Sequence, residues 1–446
     1  MKERLERCLK VAGKKIAGIL DRSLQAQDLA EGEIVDLFDA RGDDFWALLS
    51  AADHLRQETV GDRVSYVINR NINFTNVCIK RCSFCAFSRT YRSDEGYFLP
   101  QEEILRRARE AYEYGATEVC IQAGLPPDME GDLYIRLCRA IKEALPELHI
   151  HAFSPEEILY GSQRSGRTIR EYLSELKSAG IGSLPGTSAE ILDQSVRDRI
   201  SPGRITTSQW IEVIQTAHFL EIPTTSTIMY GHVETSRDCA RHLLLLRNLQ
   251  RQTHGFTEFV PLSLIHTEAP MYRDGLIKGV RAGATGREVL KMHAVSRLVL
   301  NQDIPNIQVS WVKEGLKLSQ ICLTAGANDL GGTLINESIS TSAGASHGQL
   351  VRPIDLRRCI RDAGRIPVER STLYQELQRF DTEEDELLNP LDRLSDEEAG
   401  HFGSYRQLIK LDRFRFQPAK RDTSRANERV PEATRTSHTR STASAP

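Results

Sequence analysis

Nowhere in the 446 residues does an apolar run approach the roughly 18 consecutive residues that a membrane-spanning helix needs. The richest, Leu243 to Leu246, is closed on either side by His242 and Arg247. The N-terminal stretch MKERLERCLKVAGKKIAGIL lacks the unbroken apolar core and small-residue cleavage site of a secretion signal. The expectation is a cytoplasmic protein with no membrane partner. A surplus of charge is missing too: 58 Lys and Arg against 61 Asp and Glu leave a formal net charge of -3. With no basic excess to grip nucleic acid or an anionic surface, small polar molecules are the expected partner class.

An even, paired cysteine framework is also absent. Of the nine cysteines, six lie singly inside apolar helix or strand patterns, as reduced buried thiols do. The other three crowd into Asn76-Val-Cys78-Ile-Lys-Arg-Cys82-Ser-Phe-Cys85-Ala-Phe87, a CxxxCxxC spacing.

Residues 1–60 carry an apolar helical rhythm and are expected to form a helical cap. From residue 64, short β-rich runs alternate with amphipathic helical stretches, which predicts a parallel sheet covered by helices. Strands are expected at 64–74, 117–124, 148–154, 181–186, 224–231, 256–266, 306–311 and 329–336. Eight such units in about 270 residues fit a (β/α)8 TIM-type barrel over residues 61–375, in preference to a doubly wound open sheet. An acidic helical extension is expected over 376–417. Residues 418–446, rich in Arg, Ser, Thr, Ala and Pro, are expected to be a disordered tail.

In such a barrel the strand ends form the active-site mouth, and here they are polar: Asn76, Gln122, His151, Ser154, Thr187, Tyr230, His232, Glu234, His266, Lys313, Asn336 and Glu337. Loops begin at strand ends in any protein, so each position alone has an ordinary explanation. On the first strand Asn69, Asn71, Asn73 and Thr75 alternate with Ile68, Arg70, Ile72 and Phe74. A polar row of that kind suits a lumen holding a polar ligand; a solvent-facing edge strand is the alternative.

Three thiolates can hold a 4Fe-4S cubane through three of its irons and leave the fourth open to a ligand. Lys80 and Arg81, between the cysteines, would favour thiolates. A structural zinc site or an electron-transfer cluster would want a fourth Cys or a His nearby, but the next are Cys120 and His149.

With an aromatic residue before its third cysteine, this segment resembles the signature of radical S-adenosylmethionine (SAM) enzymes. The run Asn71-Ile-Asn-Phe-Thr-Asn76 with Cys82-Ser-Phe-Cys-Ala-Phe87 is similar to the subgroup of menaquinone-pathway radical enzymes and deazaflavin (FO) synthases. The motifs HAFSP (151–155), PGTSAEI (185–191), MYGHVE (229–234), FVPL (259–262), HTEAPMY (266–272) and GANDLGGTLINE (326–337) favour the tyrosine-dependent FO synthase family within it.

The resemblance implies that Cys78, Cys82 and Cys85 ligate the cluster and that SAM chelates its open iron, to be cleaved to methionine and a 5'-deoxyadenosyl radical. It puts Phe84 beside the adenine. Gln122-Ala-Gly124 stands where many relatives carry Gly-Gly-Glu for the SAM amino group; the glutamate is missing, which leaves strand-end carbonyls as acceptors. Glu190 is a candidate partner of the SAM ribose or amino group, or a first-turn helix acid. Asn71, Asn73, Tyr230, His232 and His266 are candidate substrate contacts, whereas Met229 and Trp311 suit core positions. The implied reaction breaks the Cα–Cβ bond of L-tyrosine and joins a 4-hydroxybenzyl unit to 5-amino-6-(D-ribitylamino)uracil. With one triad and one barrel here, a second radical SAM subunit is expected to act on the product. A futalosine-type menaquinone-pathway enzyme and a non-enzymatic iron–sulfur or zinc protein are the alternatives.

Overall fold

Short parallel strands rich in valine, isoleucine and threonine make the centre of the molecule, in a computed structural model that describes residues 2–382 and 388–418. They are β1 (Arg63–Val67), β2 (Asn69–Ile72), β3 (Glu118–Ile121), β4 (His149–Ala152), β5 (Thr224–Tyr230), β6 (Phe256–Ser263), β7 (Asp329–Gly332) and β8 (Ile366–Arg370), with β9 (Glu376–Arg379) antiparallel to β8. β2 pairs with β3 and β3 with β4, so that Asn69 faces Glu118 and Glu118 faces His149. Single parallel bridges continue from His151 to Ser183 and from Leu184 to Thr224, where β5 and β6 run side by side. Further bridges link Phe259 to Ile307 and Gln308 to Asp329; β7 pairs with β1, and Ile335 bridges Arg70.

Helices between the strands announce their starts in the sequence. Ser154, Thr168, Thr206, Thr235 and Thr285 each accept from the backbone N–H three residues on, and the Glu, Gln or Asp at that third position reaches back. Each cap fixes where a loop ends and the next helix begins. Four helices, Lys2–Val11, Lys14–Leu24, Glu31–Asp39 and Asp43–Val60, precede β1, and the last packs on Gly286–Leu300. Residues Met1–Phe416 form one unit; of the other, Gln417–Pro446, only Gln417 and Pro418 are described, so the expected disordered tail lies outside the described residues from 419 on.

Four expectations need correction. The first strand breaks at Ile68 into β1 and β2 and ends at Ile72. Segments 181–186 and 306–311 contribute bridges in place of full strands. Gly182, Pro185 and Gly186 interrupt the former, and in the latter the Ile307 N–H is taken by the Asn328 side chain at 2.8 Å. β8 was not expected at all, because Pro367, Glu369 and Arg370 disguise its pattern. The acidic extension begins as strand β9 and continues in single turns at Pro390–Arg393, Asp396–Ala399, Gly400–Phe402 and Tyr405–Leu408, where Pro390 and the glycines allow no long helix.

β8 and the turn after it tie other strands together. β8 pairs with β1 in parallel, and its turn crosses beneath the strands. Arg370, buried, donates to Asp329 at 2.6 Å, and Thr372 donates to Glu118 at 2.8 Å. Tyr374 donates to Glu258, which lies within 3.5 Å of Arg370.

Candidate active site

A cavity of about 420 Å³ runs from the cysteine loop down to Glu118, Glu258, Arg370 and Thr372. Its upper wall holds Cys78, Cys82 and Cys85, each half-buried and unpaired, together with Phe84, Gln122, Gly124 and Glu190. Asn71 lines it too, and its Oδ1 is buried without a donor. Every cluster and SAM candidate drawn from the sequence therefore faces one space.

Backbone hydrogen bonds set the cysteine loop. The Cys78 N–H donates to Arg89, Ile79 to Leu125, and Ser83 to Ile200, at 2.8–3.0 Å. Gly124 is obligatory here, because a Cβ on it would sit 2.3 Å from the Val77 carbonyl oxygen. The Glu157 carboxylate accepts the Ala123 N–H at 2.9 Å and both the N–H and hydroxyl of Ser154, so a helix cap also anchors the Gln122–Gly124 segment. Burial pushes Glu157 up to about 7.

Arg204 is the electrostatic hub that sequence reasoning missed. It donates to Glu156 at 3.1 Å, Glu190 at 2.7 Å and Ser188 at 2.7 Å, and its guanidinium lies 5.7 Å from the centre of the Phe84 ring. Burial raises the Cys78 thiol, and raises Cys82 to about 12; Arg204 opposes both shifts while the neighbouring cysteine sulfurs add to them. Lys80, expected to play that part, instead pairs with Glu156 at 3.2 Å and donates to the Gly203 carbonyl. Nothing local in the sequence links residue 204 to residues 78–85. Glu190 lies ahead of the Gln194–Ile200 helix with a left-handed backbone (φ 41°), so it is no first-turn helix acid, and its buried Oε2 accepts no hydrogen bond.

Four of the substrate-contact candidates lie outside the cavity lining. Asn73 donates to the Gln122 carbonyl at 2.8 Å and so ties the first strand's end to the second's. Tyr230 is buried behind the wall. His232 is buried against Glu234 and the Met229 carbonyl, in a turn whose N–H groups Glu234 also accepts, and burial lowers its pKa. His266 stacks edge-on against Tyr272, 4.7 Å between ring centres. Trp311, taken as core, is buried in it and also lines the cavity; Met229 packs against the core and lines the cavity too.

Among the described residues no three Cys, His, Asp or Glu side chains converge on a single point. A cubane spreads its thiolates over separate irons, and three thiols along one cavity wall, beside a cation and an unsatisfied carboxylate oxygen, suit that demand.

Residues 72–246 match the family described as the radical SAM superfamily, and residues 253–382 match the CofH/MqnC C-terminal region. A protein of Methanothermobacter thermautotrophicus named 5-amino-6-(D-ribitylamino)uracil–L-tyrosine 4-hydroxyphenyl transferase is 49% identical over 360 residues, 81% of this chain and 97% of its own. One of the same name from Methanosphaerula palustris is 50% identical over 359 residues, 80% of this chain and 97% of its own. Among solved structures, the [FeFe]-hydrogenase maturase HydG from Carboxydothermus hydrogenoformans aligns with a TM-score of 0.64 at 16% identity, covering 84% of this chain and 83% of that one. Methylornithine synthase aligns at 0.58 and 18%, covering 78% and 95%. These two likenesses show the fold.

Proposed function

The chain belongs to the 5-amino-6-(D-ribitylamino)uracil–L-tyrosine 4-hydroxyphenyl transferase family of the radical SAM superfamily, and from that premise we propose that it cleaves L-tyrosine and joins the 4-hydroxybenzyl unit to 5-amino-6-(D-ribitylamino)uracil in deazaflavin biosynthesis. The observation that carries the reading is identity near one half over almost the whole length of relatives with that name. One lumen lined by the thiol triad and by polar side chains supports it.

In this reading Cys78, Cys82 and Cys85 hold a 4Fe-4S cluster, and Phe84, Gln122, Gly124 and Glu190 hold SAM. When bound, the pair supplies the one-electron chemistry that opens an unactivated bond in tyrosine. The chain's own contribution is placement. Arg204 offsets negative charge at the thiols and orients Glu190; Glu157 fixes the Gln122–Gly124 segment. Val260, Leu262, Leu264 and Trp311 present apolar wall, which keeps water from a reactive fragment in transit between substrates. Asn71, Gln308 and Ser310 offer amides and a hydroxyl to the ribityl chain, while Asn69 is taken by Glu118 and the Leu334 N–H.

The strands are read as one closed (β/α)8 barrel, which the parallel pairings from β2 round to Ile335 support. A second radical SAM enzyme is assigned the next step on the product. A reducing, cytoplasmic setting belongs to the same reading, supported by nine unpaired cysteines and by the lack of any helix, among the described residues, long and apolar enough to cross a membrane.

The test is anaerobic reconstitution of the cluster followed by mass spectrometry of reactions with SAM, L-tyrosine and the aminouracil. SAM cleavage coupled to the adduct is expected only with both substrates present. Turnover of a futalosine-type substrate with no adduct from tyrosine and the aminouracil would overturn it.

A further inference from the structure

The cavity holds four cations, and three are occupied by protein. Lys80 has Glu156 and the Gly203 carbonyl, Arg204 has Glu156, Glu190 and Ser188, and Arg370 has Asp329. Lys313, half-buried, lines the same cavity and, among the described residues, makes no side-chain hydrogen bond or ion pair. The charges acting on it are Glu337 first and Glu314 second. Glu337 is buried and also lines the cavity, its carboxylate accepting the backbone N–H groups of Ser340 at 2.8 Å and Thr341 at 3.3 Å.

A cation and an anion thus face one space, near enough to feel each other yet not joined. Their backbones cannot easily close the gap. Lys313 sits in a turn started by the Ser310 carbonyl and cut off at Gly315, whose φ of 72° bends the chain and whose missing Cβ leaves room for the His347 ring. Trp311, two residues before, is pinned by its indole N–H to the Gly332 carbonyl at 2.8 Å. Glu337 is pinned by the turn it caps. Burial disfavours the charged form of both groups, a cost that a ligand carrying the opposite charges would relieve.

We infer that Lys313 and Glu337 form the binding site for a zwitterionic amino acid, Lys313 taking its carboxylate and Glu337 its ammonium. The inference rests on the function proposed above and names the pocket of one of its two substrates. The aminouracil carries no carboxylate, so L-tyrosine is the substrate that matches this charge pair; in the function proposed above SAM would be held at the cysteine wall by Phe84, Gln122, Gly124 and Glu190. Lys313 stands after the Ile307–Gln308 bridge and Glu337 after β7, on loops separate from the one that bears Arg204. The amino-acid end of tyrosine would be held there and its side chain directed into the lumen.

The reconstituted holoenzyme tests this with L-tyrosine and L-tyrosinamide, which keeps the ammonium and loses the carboxylate. Lys313→Met is expected to raise the KM for L-tyrosine roughly 30-fold or more, the loss usual for truncating one partner of a buried charge pair. The KM for the aminouracil, the affinity for SAM and the cluster absorbance should stay put. Tyrosinamide should react equally poorly with both enzymes, and Lys313→Arg should recover most of the tyrosine KM. Calorimetric titration of L-tyrosine into each holoenzyme reads the same loss without turnover. If Lys313→Met does not fold, Glu337→Gln carries the comparison: tyrosine and its amide, which share the ammonium, should lose affinity together, Lys313→Arg should keep the preference for tyrosine, and unchanged affinity in Glu337→Gln would overturn the assignment. Unchanged tyrosine affinity in Lys313→Met, or a loss that falls on SAM or the aminouracil, would overturn the assignment while a wild-type adduct leaves the proposed function standing. No adduct from the wild type would mean that the function has failed first.

Discussion

Arg204 donates to Glu190 at 2.7 Å while its Nε donates to Glu156 at 3.1 Å, so one guanidinium satisfies two nearly buried carboxylates beside the cysteine loop. Removing it leaves Glu156 with Lys80 and the Ile205 N–H, but Glu190 with no cation, among the described residues, nearer than Arg197 at 3.7 Å. Arg204→Met is expected to cost on the order of 3–5 kcal/mol of unfolding free energy in urea titrations of the apoprotein, because an uncompensated buried charge is worse than none. A loss under about 1 kcal/mol, the value of an exposed pair, would show that water reaches the cluster of charges.

Cys78→Ala, Cys82→Ala and Cys85→Ala should each abolish the absorbance of the reconstituted cluster, since two thiolates are too few to hold a cubane that already lacks a fourth. Cys120 makes a discriminating control. It lines the same cavity, but from strand β3 and not from the cysteine loop, and the Gln122 amide lies 3.5 Å from its sulfur. Cys120→Ala should therefore retain the cluster, and loss of absorbance in that variant would redraw the ligand set.

Glu157 gives a pH dependence whose sign is fixed by its environment. Its folded value of about 7 lies above the ordinary 4.5, so between those two the folded chain keeps a proton that the unfolded chain has released. The carboxyl's contribution to stability is therefore full below about 4.5 and is lost as pH rises through about 7, by roughly 3 kcal/mol in all. Glu157→Gln keeps a single acceptor oxygen, enough for Ala123 or for Ser154 and not both, a pH-independent loss, and it has no proton to lose. The wild type minus variant difference in unfolding free energy should shift between pH 5 and pH 8; a constant difference would mean that Glu157 titrates normally.

Gly124→Ala tests the closeness of two loops. A methyl group 2.3 Å from the Val77 carbonyl must push the segment before Cys78 aside. The expected cost is about 1–3 kcal/mol, with a parallel drop in cluster yield on reconstitution. Alanine at Gly286, where nothing lies within 4 Å, should be harmless by the same two readouts.

What the sequence made legible was local. The three cysteines lie within eight consecutive positions, and the alternation from Asn69 to Thr75 announces a polar strand face, of which Asn69 and Asn71 reach the cavity. Capping boxes such as Ser154 with Glu157 mark helix starts three residues at a time. The electrostatics were illegible because their members are far apart in the chain: Arg204 meets Glu156 across 48 positions, and Arg370 meets Asp329 across 41. Histidines misled for the opposite reason. His232 and His266 stand in motif-like runs at strand ends, yet backbone turns and an aromatic neighbour already employ them.

The turn after β8 has a kinetic meaning. Arg370, Thr372 and Tyr374, bonded across to Asp329, Glu118 and Glu258, cross-link the strands at the end of the lumen away from the cysteines. If guests enter only from the cysteine end, whatever sits deepest arrives first and departs last. Traffic through this enzyme is then a queue, and initial-rate patterns with added product should reveal a compulsory order of entry.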